Sequence, residues 1–231
     1  MKKLIVFDLD ETLSEQEKEV EPHVIEALKQ MEESGLMVAL CSGKSAFYLS
    51  GLLRQVGLKN KIIIGENGAE VSIGDGLPPK KFGFIAVKPE TLKKLSWLKE
   101  QILTMFDYNI WFQHNRYAVS PFPTNEEGFA KIEAFLNKHK HKLEGLTIYR
   151  HPDCFDIVPE EVNKKAGLEM ALKLLHINKS EMVAVGDGVN DYPMFDLADV
   201  SIGINLKDPS KATVNVTSIE EALHYIKNKL M

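Results

Sequence analysis

Cysteine is scarce: Cys41 and Cys154 are the only two among 231 residues, far apart and outside any paired motif. That excludes a disulfide framework and a zinc site, and both are expected to be buried apolar fillers. No apolar run approaches the roughly 20 residues that a bilayer-crossing helix needs, and no basic region precedes an N-terminal apolar segment. A cytoplasmic protein without membrane contact is therefore expected, and the triplets at Asn178 and Asn215 that match a glycosylation sequon are read as chance. Positive charge is not in excess. With a formal net charge of −5, a pI near 5.8 and Lys and Arg scattered along the chain, there is no electrostatic footprint for nucleic acid. What the chain does have is 44% apolar residues, enough for a substantial core in one large or two modest domains.

The first residues set the organisation. Leu4-Ile5-Val6-Phe7 reads as a buried parallel strand that runs directly into Asp8 and Asp10. In open α/β sheets ligands bind at the carboxyl edge of the strands, so two acids there are placed for chemistry. Residues two apart in an extended segment point the same way, but in a tightening loop the second can offer its backbone carbonyl or turn its carboxylate elsewhere. A helix over 22–34 follows, with Pro22 in its first turn and Gly35 as its stop. Residues 36–41 form a second buried strand ending on Ser42-Gly43-Lys44. A P-loop would need glycine at position 38, where Val38 stands, so that reading is rejected. A hydroxyl and adjacent N–H groups near a helix start could instead hold phosphate oxygens, or Ser42 could simply cap a helix.

A helix over 46–55 and a strand over 62–64, ending in Gly65-Glu66-Asn67-Gly68, complete a β-α-β-α-β series. This predicts a right-handed, doubly wound parallel sheet. Turn residues from Gly74 to Pro79 suggest a boundary. From about 83 to 156 the pattern changes to a helix (89–106), a hairpin (108–113 and 117–120), a helix (126–139) and a strand pair (146–150 and 155–158). Two such αββ units imply an inserted α+β domain, with 1–82 and 157–231 forming the α/β body. The KHKHK run at 138–142 reads as a solvated helix end. The doubly wound pattern resumes with a helix over 164–175, a strand over 182–185, the loop Gly186-Asp187-Gly188-Val189-Asn190-Asp191, a short helix over 192–197, strands at 200–204 and near Val214, and a C-terminal helix from Ser218. That loop is not a dinucleotide fingerprint, because Asp191 stands where a third glycine is required.

Asp8, Asp10, Asp187 and Asp191 thus lie in two loops that a parallel sheet could bring to one edge. Converging carboxylates repel unless a cation intervenes, and oxygen ligands of this kind suit Mg²⁺. Ser42 and one ammonium, Lys164 or Lys165, would reach the same edge. Together they fit phosphoryl transfer, where catalysis is mostly positioning and charge neutralisation.

These residues resemble the haloacid dehalogenase superfamily. Its D-x-D-x-T motif stands as Asp8 to Thr12, its strand-terminal Ser/Thr as Ser42, and its G-D-x-x-N-D as Gly186 to Asp191. The Lys-x-x-Ala/Gly-Leu motif of its Cof-like, type IIB branch fits Lys164 to Leu168, and the α+β insertion is similar to that branch's cap. The resemblance implies a Mg²⁺-dependent phosphatase. Asp8 would be the nucleophile and Asp10 the general acid/base. Ser42, Gly43, Lys164 and Asn190 would bind the phosphoryl group, and Asp187 and Asp191, with Asp8 and the Asp10 carbonyl, would hold the metal directly or through water. Thr12 would brace the loop. Glu11 departs from the glycine common there, and Ser-Gly-Lys replaces a commoner Thr-Gly-Arg. Similarity to the archaeal phosphoglycolate and sucrose-phosphatase-like group implies 2-phosphoglycolate as substrate, with a small phosphorylated metabolite as the only partner beyond a homodimer. His114, Asn115 and Arg116 are candidate cap contacts. The rival readings are a broad sugar-phosphate or nucleotide phosphatase, a phosphomutase, and a phospho-accepting signalling domain.

Overall fold

In a computed structural model, all residues except Met1, Glu17, 75–77 and Met231 are described. The chain divides into two units, 1–84 with 163–231, and 85–162.

The first unit is built on an eight-stranded sheet. It comprises β1 (Leu4–Phe7), α1 (Pro22–Glu33), β2 (Met37–Cys41), α2 (Ala46–Val56), β3 (Ile62–Gly65), β4 (Glu70–Ile73) and β5 (Lys81–Phe84). The second unit comprises α3 (Pro89–Met105), β6 (Trp111–Phe112), β7 (Pro121–Phe122), α4 (Glu126–Lys138), β8 (Leu146–Arg150) and β9 (Phe155–Pro159). The chain then returns to the first unit with α5 (Lys164–Leu175), β10 (Met182–Gly186), α6 (Tyr192–Leu197), β11 (Val200–Ile204), β12 (Val214–Val216) and α7 (Ile219–Lys229).

The strand order is β12-β11-β10-β1-β2-β3-β4-β5. The first six strands of that order pair in parallel, and β4 and β5 add an antiparallel edge. Alternation along the central strands sends Ile5, Phe7, Val38, Leu40, Val183 and Val185 into a core with α1, α2 and α7. Leu4, Val6, Ala39, Cys41, Met182 and Ala184 pack on the opposite side with α5 and α6. Burial on both faces explains why these strands read as unbroken apolar runs. β1 sits between β10 and β2, with Phe7 level with Val185 on one side and Leu40 on the other. Three loops consequently leave one edge of the sheet together.

The antiparallel edge was not foreseen. β5 is four residues long and mostly exposed, so it carries no apolar alternation by which it could be recognised. The Gly74–Pro79 turn region falls partly outside the described residues, and the structural seam comes after β5. At the other seam, a boundary before Ile157 would cut β9, which pairs with β8 along its whole length from Phe155 to Pro159.

Within the second unit, α3 and α4 bury Leu95, Leu98, Ile102, Phe129 and Ile132 against Phe112, Val119, Phe155 and Ile157. The first hairpin differs from expectation. β6 pairs with Pro121–Phe122, so 117–120 does not form the second strand. Val119 instead exchanges hydrogen bonds with Ile157 of β9, at 3.0 and 3.1 Å.

Candidate active site

Asp8 follows β1 directly, and its amide donates to the Val185 carbonyl at 2.9 Å, extending the parallel ladder by one residue. This stitches the β1 loop to the β10 loop. Asp187 follows Gly186 at the same edge, and the Thr12 hydroxyl donates to Asp187 Oδ1 at 3.0 Å, a second tie between the same loops. Carboxylate oxygens of Asp8, Asp187 and Asp191 all lie within 4.8 Å of one another.

Lys164 faces this cluster. The Asn163 side chain caps α5 by accepting the Ala166 amide at 3.0 Å, so Lys164 is the helix's first residue. Its ammonium lies 2.7 Å from Asp8 Oδ1 and donates to Asp191 Oδ1. Lys164 is 1% exposed. Burial opposes its charge, but Asp191 and Asp8 prevail and hold its pKa above the ordinary lysine value. Lys165 points to solvent. The lysine left open by the sequence pattern is thereby placed.

Each acid has a distinct setting. Asp8 is 6% exposed. Its burial dominates and, with Asp191 and Asp187 adding and Lys164 opposing, pushes its pKa up to about 8. Burial and Asp191 raise Asp187 to about 6 against the pull of Lys164 and Thr12. Asp191 is fully buried, and its Oδ2 accepts the amides of Asp187 and Gly188, both at 2.9 Å. A Cβ on Gly186 would come 2.5 Å from that oxygen, which accounts for the glycine. Three carboxylates against one ammonium leave two uncompensated negative charges when all are ionised.

The Asp10 carboxylate does not join this trio. Its Oδ2 lies 3.3 Å from the Lys44 ammonium. Glu11 takes a left-handed backbone, φ +58°, which explains why glycine suits that position. Ser42 is buried after β2, and its Oγ accepts the Lys44 amide at 3.2 Å, with half-buried Gly43 between them. Asn190 is half-buried, and its Oδ1 fills the space where a Cβ on Gly188 would sit, 2.6 Å away.

The haloacid dehalogenase-like hydrolase family matches residues 5–78 and 99–216. The chain belongs to that family. This haloacid dehalogenase-like hydrolase is 26% identical over 94% of its length to 88% of a phosphoglycolate phosphatase of Thermoplasma volcanium. It is 24% identical over 84% of its length to 80% of an HMP-PP phosphatase of Yersinia enterocolitica. A solved haloacid dehalogenase-like hydrolase of B. subtilis superposes with a TM-score of 0.75 at 20% identity, covering 99% of this chain and all of that one. This chain is a hydrolase of that family whose relatives carry phosphatase names.

Two features of the hydrolase's site were missed in the sequence. One is the Lys44–Asp10 pair, a contact between two loops that leaves no periodic trace. The other is the turn at Glu66–Gly68, where Glu66 and Asn67 are buried in left-handed conformations, φ +50° and +55°. A Cβ on Gly68 would lie 2.1 Å from the Asn163 carbonyl oxygen, and one on Gly167 would lie 2.5 Å from Gly68 Cα. The turn therefore seats the start of α5, and with it Lys164. The Gly65-Glu66-Asn67-Gly68 string was its available signal. In the second unit, His114 and Arg116 are exposed, Arg116 lies over the Tyr117 ring at 5.1 Å, and Asn115 is half-buried in the 113–120 loop.

Proposed function

We propose that this protein hydrolyses a small phosphomonoester, with 2-phosphoglycolate as the leading substrate, through an aspartyl-phosphate on Asp8. The observation that carries the reading is the setting of Asp8: a strand-terminal carboxylate, paired with a buried lysine and facing two further acids. A carboxylate nucleophile splits one hard displacement into two easier ones. In the first, an Asp8 oxygen bonds to phosphorus while the ester P–O bond breaks, and Asp10 gives its proton to the departing alkoxide. In the second, water attacks phosphorus and passes its proton to Asp10, releasing phosphate and the Asp8 carboxylate. The Ser42 hydroxyl, the Gly43 amide, the Lys164 ammonium and the Asn190 amide bind the phosphoryl oxygens.

The donor set supports Mg²⁺ as the cofactor, since its ligands are hard oxygens and the ionised carboxylate cluster carries two uncompensated charges. Asp8, Asp187 and the Asp10 carbonyl would hold the ion. Asp191, with both oxygens already engaged, would act by fixing Lys164 and the loop. When bound, the ion neutralises charge that builds on the phosphoryl oxygens.

The name of the Thermoplasma relative supports 2-phosphoglycolate, and that of the Yersinia relative supports a second reading, a phosphatase of other phosphate esters. Steady-state kinetics with Mg²⁺ on a panel of esters tests both. The highest kcat/KM is expected for 2-phosphoglycolate. A better ester replaces the substrate but keeps the mechanism, whereas no multiple turnover of any ester contradicts the phosphatase reading.

A further inference from the structure

Lys44 has no place in the chemistry described so far, yet its side chain meets the one motif aspartate whose carboxylate stands outside the Asp8, Asp187 and Asp191 cluster. Its ammonium lies 3.3 Å from Asp10 Oδ2. Both residues are held at the backbone. The Lys44 amide donates to Ser42 Oγ, and its carbonyl accepts the Glu66 amide at 2.9 Å. Asp10 bridges to Ser14, and the Glu11 amide donates to the Ser14 carbonyl at 2.8 Å. With both backbones fixed, the pairing selects between side-chain rotamers. We infer that Lys44 is a positioning residue. Its ammonium holds the Asp10 carboxylate toward the loop that carries Ser42. The inference rests on the phosphatase reading above.

The side chains of the pair are 22% and 34% exposed. An ion pair so open to water adds little to stability. Geometry is where it acts, because proton transfer needs the acid within hydrogen-bond reach of the leaving oxygen, and a 1 Å misplacement can cost about 10²-fold. The atom that gains from a well-placed Asp10 is the ester oxygen. As the bond from Asp8 to phosphorus forms and the ester bond breaks, that oxygen leaves with the Asp10 proton. A strongly basic leaving group depends on this proton, and a stable anion does not.

The test compares phenyl phosphate with p-nitrophenyl phosphate, nearly equal in size, phenol being the weaker acid. The value of kcat/KM reports steps up to formation of the phosphoenzyme, so it isolates departure of the leaving group. Lys44→Ala is expected to lower kcat/KM about 30-fold for phenyl phosphate and less than about 3-fold for p-nitrophenyl phosphate, with an unchanged Tm. Lys44→Arg is expected to restore both. Should Lys44→Ala fold poorly, Lys44→Gln keeps the stem's packing, removes the charge and is expected to show the same selectivity. An equal loss on both esters would mean that Lys44 binds the phosphoryl group instead, and no loss on either would mean that it does nothing here. Both results overturn the inference. A wild type that turns over neither ester with Mg²⁺ brings down the phosphatase reading itself, and this inference with it.

Discussion

Lys164 is the residue on which the site's electrostatics turn. The residue pattern alone left it as one of two adjacent lysines and the family motif chose Lys164; its burial against Asp8 and Asp191 agrees with that choice. Removing its ammonium would leave Asp8 and Asp191 buried without a counter-charge, and breaking a buried pair in this way costs about 3–5 kcal/mol. Lys164→Ala is expected to lose that much stability in urea unfolding and to lose activity, whereas Lys165→Ala, at an exposed position, is expected to change stability by less than about 0.5 kcal/mol. A larger effect at Lys165 would reverse the assignment. The four aspartates were found by type and spacing, and the sequence left open that the Asp10 carboxylate turns elsewhere, but its partner Lys44 was not found. Side-chain direction in a loop depends on partners such as Lys44, which sequence spacing does not reveal.

At the scale of elements, α5, α6 and β11 fall where the apolar pattern and caps put them, over 164–175, 192–197 and 200–204. Strong periodicity and clear stops made them readable. β4, β5 and the shifted β7 were not, since strands of two to four residues without a continuous buried run carry almost no pattern. The packing of α5 on the Glu66–Gly68 turn belongs to the same class of hidden feature. Gly68 has φ +104°, and any side chain there would collide with the Asn163 carbonyl. Gly68→Ala is expected to cost about 3 kcal/mol or more from backbone strain and overpacking. Because it displaces the start of α5, kcat should fall even where the variant stays folded. Calorimetry and kinetics on the one variant check both outcomes, and an unperturbed kcat in a destabilised protein would detach the turn from the site.

For the molecule as a whole, the acidic cluster links stability to pH and to the cation. Asp187 and Asp8 titrate at about 6 and about 8 when folded, above the ordinary aspartate value of 3.8. Between those limits the folded chain holds more protons than the unfolded one. The stability this confers is complete below about pH 4 and is lost as pH rises through about 6 and then about 8. A cation binds the deprotonated acids, so its affinity rises with pH and its binding releases protons. In EDTA, Tm is expected to fall between pH 5.5 and 8, and the gain in Tm on adding Mg²⁺ is expected to be larger at pH 8. A gain independent of pH would separate the cation from these carboxylates. The parallel order of β10, β1 and β2 is what brings the linked groups together; that these strands are buried and parallel was readable from their continuous apolar runs, but their order was not.

The most direct measurement is to quench the enzyme with acid during turnover of p-nitrophenyl phosphate and locate the bound phosphoryl group by peptide mass mapping. A phosphoryl adduct on Asp8, absent from Asp8→Asn, is the predicted result. An adduct on any other residue, or steady turnover by Asp8→Asn, would contradict the account.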